Sequence, residues 1–484
     1  MSTLSDNTYQ SPLSRRNASP QMQLIWSDRT KFTTWRKLWL ALAESEMELG
    51  LPVTQEQVDE IRAHLDDVNY EAAAAYEKKL RHDVMAHVHA LGDVAPKARA
   101  IIHLGATSQY VVCNTELLQV RDALRLVAGK LAVIIDRLAK FAEKYKNTPT
   151  LGFTHFQPAQ PTTVGKRATL WAQDFALALD EVEHRLEMLR FRGAKGTTGT
   201  QASFLELFGG DTAESHAKVE ELDRRVTQKM GWDPDMRFAV TGQTYPRILD
   251  GMIAATLATA ACAAQKFATD LRLLANRKEM EEPFEADQIG SSAMAYKRNP
   301  MRSERICGLS RFVIGMTQTP FVTAAEQWME RTLDDSSCRR LTLPEPFLAL
   351  DGALDIVVNV VSGMVVYEKT VAANLNAELP FMATENLMMA AVKAGHDRQE
   401  IHEVIRTHSQ AAALRVKAEG ASNDLLQRLE SEPCFAGVNL HAELDGAKFV
   451  GRSPRQVEEF IAQVADPIRG RYRAVLGYEA ALKV

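Results

Sequence analysis

The sequence predicts an all-α protein of three helical domains, the central one a bundle of long helices that packs against copies of itself. Three observations carry this. Five stretches keep apolar residues at helical spacing well beyond the usual helix length, over about 115–146, 166–191, 248–277, 302–326 and 346–374. One of them contains Met252–Ala264, MIAATLATAACAA, which has no charge on any face. Little of the chain alternates apolar and polar residues in the way a half-buried strand does.

In chain order, residues 1–20 are rich in Ser, Asn and Pro and are expected to begin without order. Helical patterning starts near Lys31 and recurs in short pieces, giving an N-terminal helical domain over 1–110. It breaks at HLGATSQ (103–109), where Gly105 sits among small polar residues. The stretch from Thr115 to Lys146 would form a rod of roughly 45–50 Å at the helical rise. Rods of this length must bury a face against one another, so 111–366 is read as a long-helix bundle. The uncharged run at 252–264 would be buried all round. Its alanines permit close approach, which suits the centre of an oligomeric bundle; a buried core helix in a monomer is the alternative. After about residue 366 the pattern shortens, and Gly, Pro and charges return at GAS (420–422) and SEPCFAG (431–437). A C-terminal helical domain is placed over 367–484.

Composition narrows the function. Hydrophobic residues make up 46% and charged residues 25%, as in soluble globular proteins. A formal net charge of −5 argues against a general nucleic-acid binder, which would be basic. The five cysteines, Cys113, Cys262, Cys307, Cys338 and Cys434, are scattered without a CxxC pair, which fits reduced thiols in the cytoplasm. The polar N-terminus has no apolar core of a signal peptide. No run of about 18 apolar residues predicts a membrane span. GAKGTTGT (193–200) is glycine-rich but lacks the GxxxxGK[ST] order of a phosphate loop. HVH (87–89) and the other histidines form neither HExxH nor a Cys/His zinc pattern, so no metal or cofactor is expected.

The densest polar segment is QIGSSAMAYKRNPMRSER (288–305). Gly290 and the paired serines in front, and Pro300 behind, make it a loop that enters a helix near Met301. Hydroxyls, backbone N–H groups and the Lys297 ammonium suit a dicarboxylate or an oxyanion. Composition alone equally describes, and favours, a solvated surface loop.

The motif resolves that choice. GSSAMAYKRNP closely resembles the GSSxMPxKxNP signature of the fumarase, aspartase and argininosuccinate lyase superfamily. Three further segments match it in order: RHDVMAHVH (81–89), HLGATS (103–108) and GFTHFQPAQPTT (152–163). Within the superfamily, the Arg of KRNP, the following MRSER, and ERTLDDSSCRR (330–340) are similar to the adenylosuccinate lyases, above all their animal forms. The resemblance runs from about Ser11 to past residue 380 and is looser over the last hundred residues.

The resemblance implies β-elimination of fumarate from adenylosuccinate, giving AMP. It implies the same reaction on succinylaminoimidazole carboxamide ribotide, giving aminoimidazole carboxamide ribotide, both in purine nucleotide biosynthesis. Ser291 matches the general base that removes the succinyl Cβ proton, and His155 the acid that protonates the departing nitrogen. His82 matches a second active-site histidine, and Glu304 a carboxylate that orients a catalytic histidine. Lys297 and Asn299 match groups that stabilise the charge developing on the neighbouring carboxylate. Arg305, Arg331 and Arg340 match anchors for phosphate and carboxylates, groups that bidentate arginines suit. Arg16, Asn17, Arg81, Asp83, Thr107, Ser108, Gln243 and Ser336 fall on the remaining substrate-binding positions. The family also implies a homotetramer whose sites are each built from three chains. The sequence departs from the family at Ala295, where relatives carry Pro, at Asn17, usually Tyr, and at Cys113, often Asp. The rivals are another superfamily lyase, such as argininosuccinate lyase or fumarase, and a catalytically silent structural relative.

Overall fold

The computed structural model describes residues 7–285 and 287–482. Helix α1 (Asp28–Glu48) starts at Ser27, whose hydroxyl accepts from the Thr30 N–H. Helices α2 (Tyr70–Leu80) and α3 (Asp83–Val94) fold back on one another about Arg81, which takes a left-handed φ of 57°. Helix α4 (Ser108–Lys144) has 37 residues and spans about 55 Å. A β-hairpin follows, β1 (Pro149–Thr154) paired antiparallel with β2 (Gln157–Thr163). Then come α5 (Val164–Met188), α6 (Ala213–Lys229), α7 (Ile248–Asn276), α8 (Met301–Gly315), α9 (Asp335–Thr342) and α10 (Pro344–Gly363). Beyond them lie α11 (Glu368–Met382) and α12 (Arg398–Glu419). A second small antiparallel pair joins β3 (Met280–Glu281) to β4 (Val365–Val366). Among the described residues the fold is all-α apart from these short strands.

Side-chain contacts fix the direction of each bundle helix. On α5 and α7, Arg185 meets Thr256 and the Trp171 indole N–H donates to Asp270, so the two run antiparallel. Glu304 of α8 pairs with Arg272 near the end of α7, so α8 turns back again. Helix α10 runs parallel to α4, with Lys130 on Asp351 and Arg137 on Ser362. The bundle therefore has two distinct ends. The first gathers the starts of α4 and α7 together with α9. The second gathers the β-hairpin, the end of α7 and the start of α8.

One continuous hydrophobic core runs from Leu13 through the bundle helices to Ile468. A separate one occupies the C-terminal part, from Ala383 to Leu440. The segment before α1 is ordered from Leu13 onward. Leu13–Asn17 forms a helical turn, Ala18 and Ser19 are buried, and the Ser19 N–H donates to Asp351 at 2.7 Å. That long-range bond ties the segment to α10, a contact that composition cannot reveal, while the expectation for residues 1–6 lies outside the described residues.

Two of the long predicted helices are broken. The 302–326 stretch splits after Gly315 and resumes at Gln318–Ala325; the Thr317 hydroxyl takes the Ile314 carbonyl at the break. The 346–374 stretch stops at Gly363, where the backbone leaves to pair with β3. The sequence pattern does not predict the hairpin over 149–163, because Pro158 and Pro161 disguise its second strand.

Within one chain the 252–264 helix is covered on all but one face. Met252, Ala255, Thr259 and Cys262 form an exposed stripe at helical spacing, and only the other faces are covered within the chain. Two segments, Ile248–Asn276 and Asp335–Gly363, are long and apolar enough to cross a membrane by length and composition. Their most apolar stretches are 61% and 83% buried inside the protein, as core helices of a bundle are.

Candidate active site

At the first end, His82 caps α3. Its Nδ1 accepts from the Met85 N–H at 3.3 Å, so the ring proton of the neutral imidazole sits on Nε2, which lies 3.3 Å from the Ser108 hydroxyl. Ser108 opens α4 directly after Thr107. Asp83, beside His82, pairs with Arg340 of α9 at 3.4 Å. Ser336 is on the same short helix. Arg331 leads into α9 and donates to the Gln243 side-chain oxygen at 2.8 Å. Thus Arg81, His82, Asp83, Thr107, Ser108, Arg331, Ser336 and Arg340, read from three separate motifs, converge with Gln243 on one end of the bundle.

At the second end lies the loop that joins α7 to α8. Ser291 Oγ accepts from the Met294 N–H at 3.1 Å and from the Ala293 N–H at 3.4 Å. Backbone donors aimed at a serine oxygen stabilise negative charge on it. The Asn299 amide donates to the Gly290 carbonyl at 2.7 Å, closing the loop on itself. Any Cβ at Gly290 would meet the Lys297 carbonyl oxygen at 2.2 Å, so only glycine fits. A cavity of about 580 Å³ opens here, lined by Phe284, Ile289, Gly290, Ser291 and Ala295 among others. The Lys297 side chain is exposed beside it.

Glu304 and Arg305 follow on the first turn of α8. Burial holds the Arg305 guanidinium below the usual arginine range, and the nearby positive charges of Arg16 and Arg302 add to this. Two arginines brought this close suit an anionic ligand. The neighbouring Asn17 donates to the Pro12 carbonyl, and its backbone packs on Gly352, where a Cβ would meet it at 2.9 Å.

His155 and Phe156 form the exposed tip of the hairpin, with φ of 54° and 55°. A two-residue turn of this kind ordinarily takes Asn or Gly, and a bulky residue with positive φ is strained. Such strain persists where function or surrounding structure demands it. The hairpin belongs to the second end: Arg277, just past α7, lies over the Phe153 ring at 4.7 Å.

The two groups stand at opposite ends of α7, whose 29 residues put them about 40 Å apart. One chain therefore does not bring His82 and Arg331 to Ser291 and Lys297.

Sequence reasoning passed over the supports beneath the first end. Arg247 donates to Asp335 at 2.8 Å, and Asp335 lies 3.8 Å from Arg331. Arg339 binds Asp250, Glu116 and the Tyr245 hydroxyl. Burial alone would raise the Asp250 carboxyl, but Arg339 and Arg247 hold it below the usual carboxylate range. These groups fix α9 and so aim Ser336 and Arg340. Asp335 and Arg339 stand inside ERTLDDSSCRR, but nothing in that string marks them as buried. Cys113, at a departure from the family pattern, is buried and contacts Gln109 and Arg247 through its sulfur.

Comparison with known proteins gives the family of the chain. Residues 14–315 match the family described as lyase, and residues 380–460 the one described as adenylosuccinate lyase C-terminus. The adenylosuccinate lyases of Schizosaccharomyces pombe and Saccharomyces cerevisiae are each 51% identical to this chain, over 94% of it and 94% of theirs. The chain belongs to the adenylosuccinate lyase family. The adenylosuccinate lyase of Schistosoma mansoni is 44% identical over 98% of this chain and 99% of its own. Membership makes the protein a C–N lyase. Among solved structures, the 3-carboxy-cis,cis-muconate lactonizing enzyme from Pseudomonas putida superposes with a TM-score of 0.79 at 25% identity, covering 96% of this chain and 100% of that one. A fumarate lyase from Mesorhizobium sp. BNC1, at 0.76 and 20% identity over 94% of this chain and 100% of that one, shares the fold.

Proposed function

We propose that the protein eliminates fumarate from adenylosuccinate, giving AMP, and from succinylaminoimidazole carboxamide ribotide, giving aminoimidazole carboxamide ribotide. The Ser291 oxygen, as alkoxide, takes the proton from Cβ of the succinyl group. The electron pair left on carbon delocalises into the adjacent carboxylate, whose growing charge Lys297 and Asn299 stabilise. The C–N bond then breaks, its electrons leave with nitrogen, and His155 delivers a proton there. Fumarate keeps the new double bond. His82, as an Nε2–H donor beside Ser108, and the Arg331, Arg340 and Gln243 group hold the nucleotide, with Arg16 and Arg305 as further anion partners. Glu304 orients a histidine.

The observation that carries this reading is the Ser291 oxygen. It accepts two backbone N–H groups on a loop shared with Lys297 and Asn299, in a chain half identical to named adenylosuccinate lyases. The assembly we favour is a homotetramer with sites shared between chains. The 40 Å separation of the two groups along α7 supports it, as does the uncovered stripe from Met252 to Cys262. Five unpaired cysteines support a cytoplasmic location. The test is an absorbance assay with purified protein and adenylosuccinate, in EDTA and without added metal. Formation of AMP and fumarate is expected. Turnover of argininosuccinate or malate without turnover of adenylosuccinate would overturn the reading.

A further inference from the structure

Helix α8, which carries Glu304 and Arg305, begins without a cap of its own. The residue before it is Pro300, whose side chain has no acceptor. The N–H groups at the second and third positions of a helix are those a capping Ser or Asp would accept. Here both go to one distant carboxylate. The Arg302 N–H donates to Glu282 Oε1 at 3.0 Å, the Ser303 N–H to Oε2 at 2.9 Å, and the Ser303 hydroxyl to Oε2 at 2.9 Å. Glu282 is 4% exposed and lies on the far side of the Ser291 loop in sequence, directly after β3. A second contact doubles the closure: the Arg302 guanidinium donates to the Pro283 carbonyl at 3.0 Å and to Glu285 at 2.5 Å. Pro283 itself is pressed against Gly363, where a Cβ would meet its ring at 2.7 Å.

We propose that Glu282 is a positioning residue for the elimination: it clasps both ends of the Ser291 loop and sets where Ser291 and Lys297 stand when substrate arrives. The inference rests on the catalytic reading above and adds to it a residue that touches neither substrate nor reacting atoms. A negative carboxylate suits the place, since it faces the positive end of α8 and accepts from three donors at once. The loop between the clasp points is held by bonds of its own, Asn299 to Gly290 and the Lys297 N–H to the Met294 carbonyl. Freeing its base would leave that local fold intact but let it pivot. A displacement of about 1 Å at a reacting group costs about a hundredfold in rate.

The variants are Glu282→Ala, Glu282→Gln and Ser303→Ala in the full-length assembled protein, with adenylosuccinate kinetics and hydrogen exchange measured on each. Glu282→Ala is expected to lower kcat by about tenfold to a hundredfold with KM changed far less, because the anchoring groups of the first end are untouched. Glu282→Gln keeps a neutral acceptor and should fall between it and wild type; Ser303→Ala removes one donor and should be mildest. Exchange over 287–300 should quicken, in the order of the kinetic losses, while α7 stays protected. A kcat within about twofold of wild type in Glu282→Ala would overturn the proposal, as would exchange that quickens equally through α7. Should the alanine variant fail to fold, the Gln and Ser303 variants decide by the same two readouts. If wild type itself failed to turn over adenylosuccinate, the reaction assignment would fall, and exchange in the variants would still judge the clasp.

Discussion

Mixing two inactive variants tests whether a complete site needs more than one chain. The perturbation is Ser291→Ala in one preparation and His82→Ala in another. Proton transfer and substrate contact need groups within about 3 Å of the reacting atoms. Within one chain these residues stand at opposite ends of the 29-residue helix α7, about 40 Å apart. On the proposed reading, a working site takes its His82 and its Ser291 from different chains. After subunit exchange at equal amounts, a site has an intact His82 with probability one half and an intact Ser291 with probability one half. With random assembly in a closed symmetric oligomer, about a quarter of the wild-type activity should return. The same fraction is expected on mixing His155→Ala with Ser291→Ala if each site draws on three chains. The assay is fumarate production against the fraction of hybrid oligomers counted by native mass spectrometry. A double variant mixed with wild type is the control. Confirmed hybrids with no recovered activity in the His82 and Ser291 mixture would refute the argument from α7.

Two further outcomes follow from individual groups. Ser291→Ala and His155→Ala should each lower kcat by about two to four orders of magnitude, while KM moves little because the arginine anchors remain; stopped-flow and steady-state kinetics check this. Glu46 is fully buried, its two carboxyl oxygens have no hydrogen-bond partner among the described residues, and burial pushes its pKa up to about 9 from 4.5. The folded chain thus holds a proton that the unfolded chain releases. Stability is full below about pH 4.5 and falls as pH rises toward 9, by at most about 1.4 kcal/mol per pH unit. Glu46→Met, apolar and of similar length, should raise Tm more at pH 8 than at pH 5; an equal gain at both would mean that Glu46 does not titrate as described.

Much of the candidate site is legible in the sequence because its residues are concentrated in short strings. The Ser291 loop needs Gly290 for its closure and Asn299 for its internal bond, so GSSAMAYKRNP carries its own geometry. His82 and Ser108 each begin a helix, in the polar breaks where helix starts are most readable. The supports were not legible. Glu282 looks like one more acid in EMEEPFEAD, and only the fold turns it toward the start of α8. Asp335 and Arg247 are separated by 88 positions and meet because α7 and α9 begin at the same end.

The sequence by itself determined the helical class, the long rods and the family of the chain, because these rest on periodicity and on local strings of residues. Tertiary structure alone decided which ends of those rods coincide. It decided that the 346–374 stretch ends at Gly363, because the backbone there pairs with β3 rather than continuing its own helix. It decided that the uncharged face of α7 stays open within the chain. It also decided that the two groups of site residues lie a helix length apart. The physical reason is common to all of these: periodicity reports which face of a helix is apolar, while direction and neighbours are set by contacts between residues far apart in the chain, such as Lys130 with Asp351 or Arg339 with Glu116.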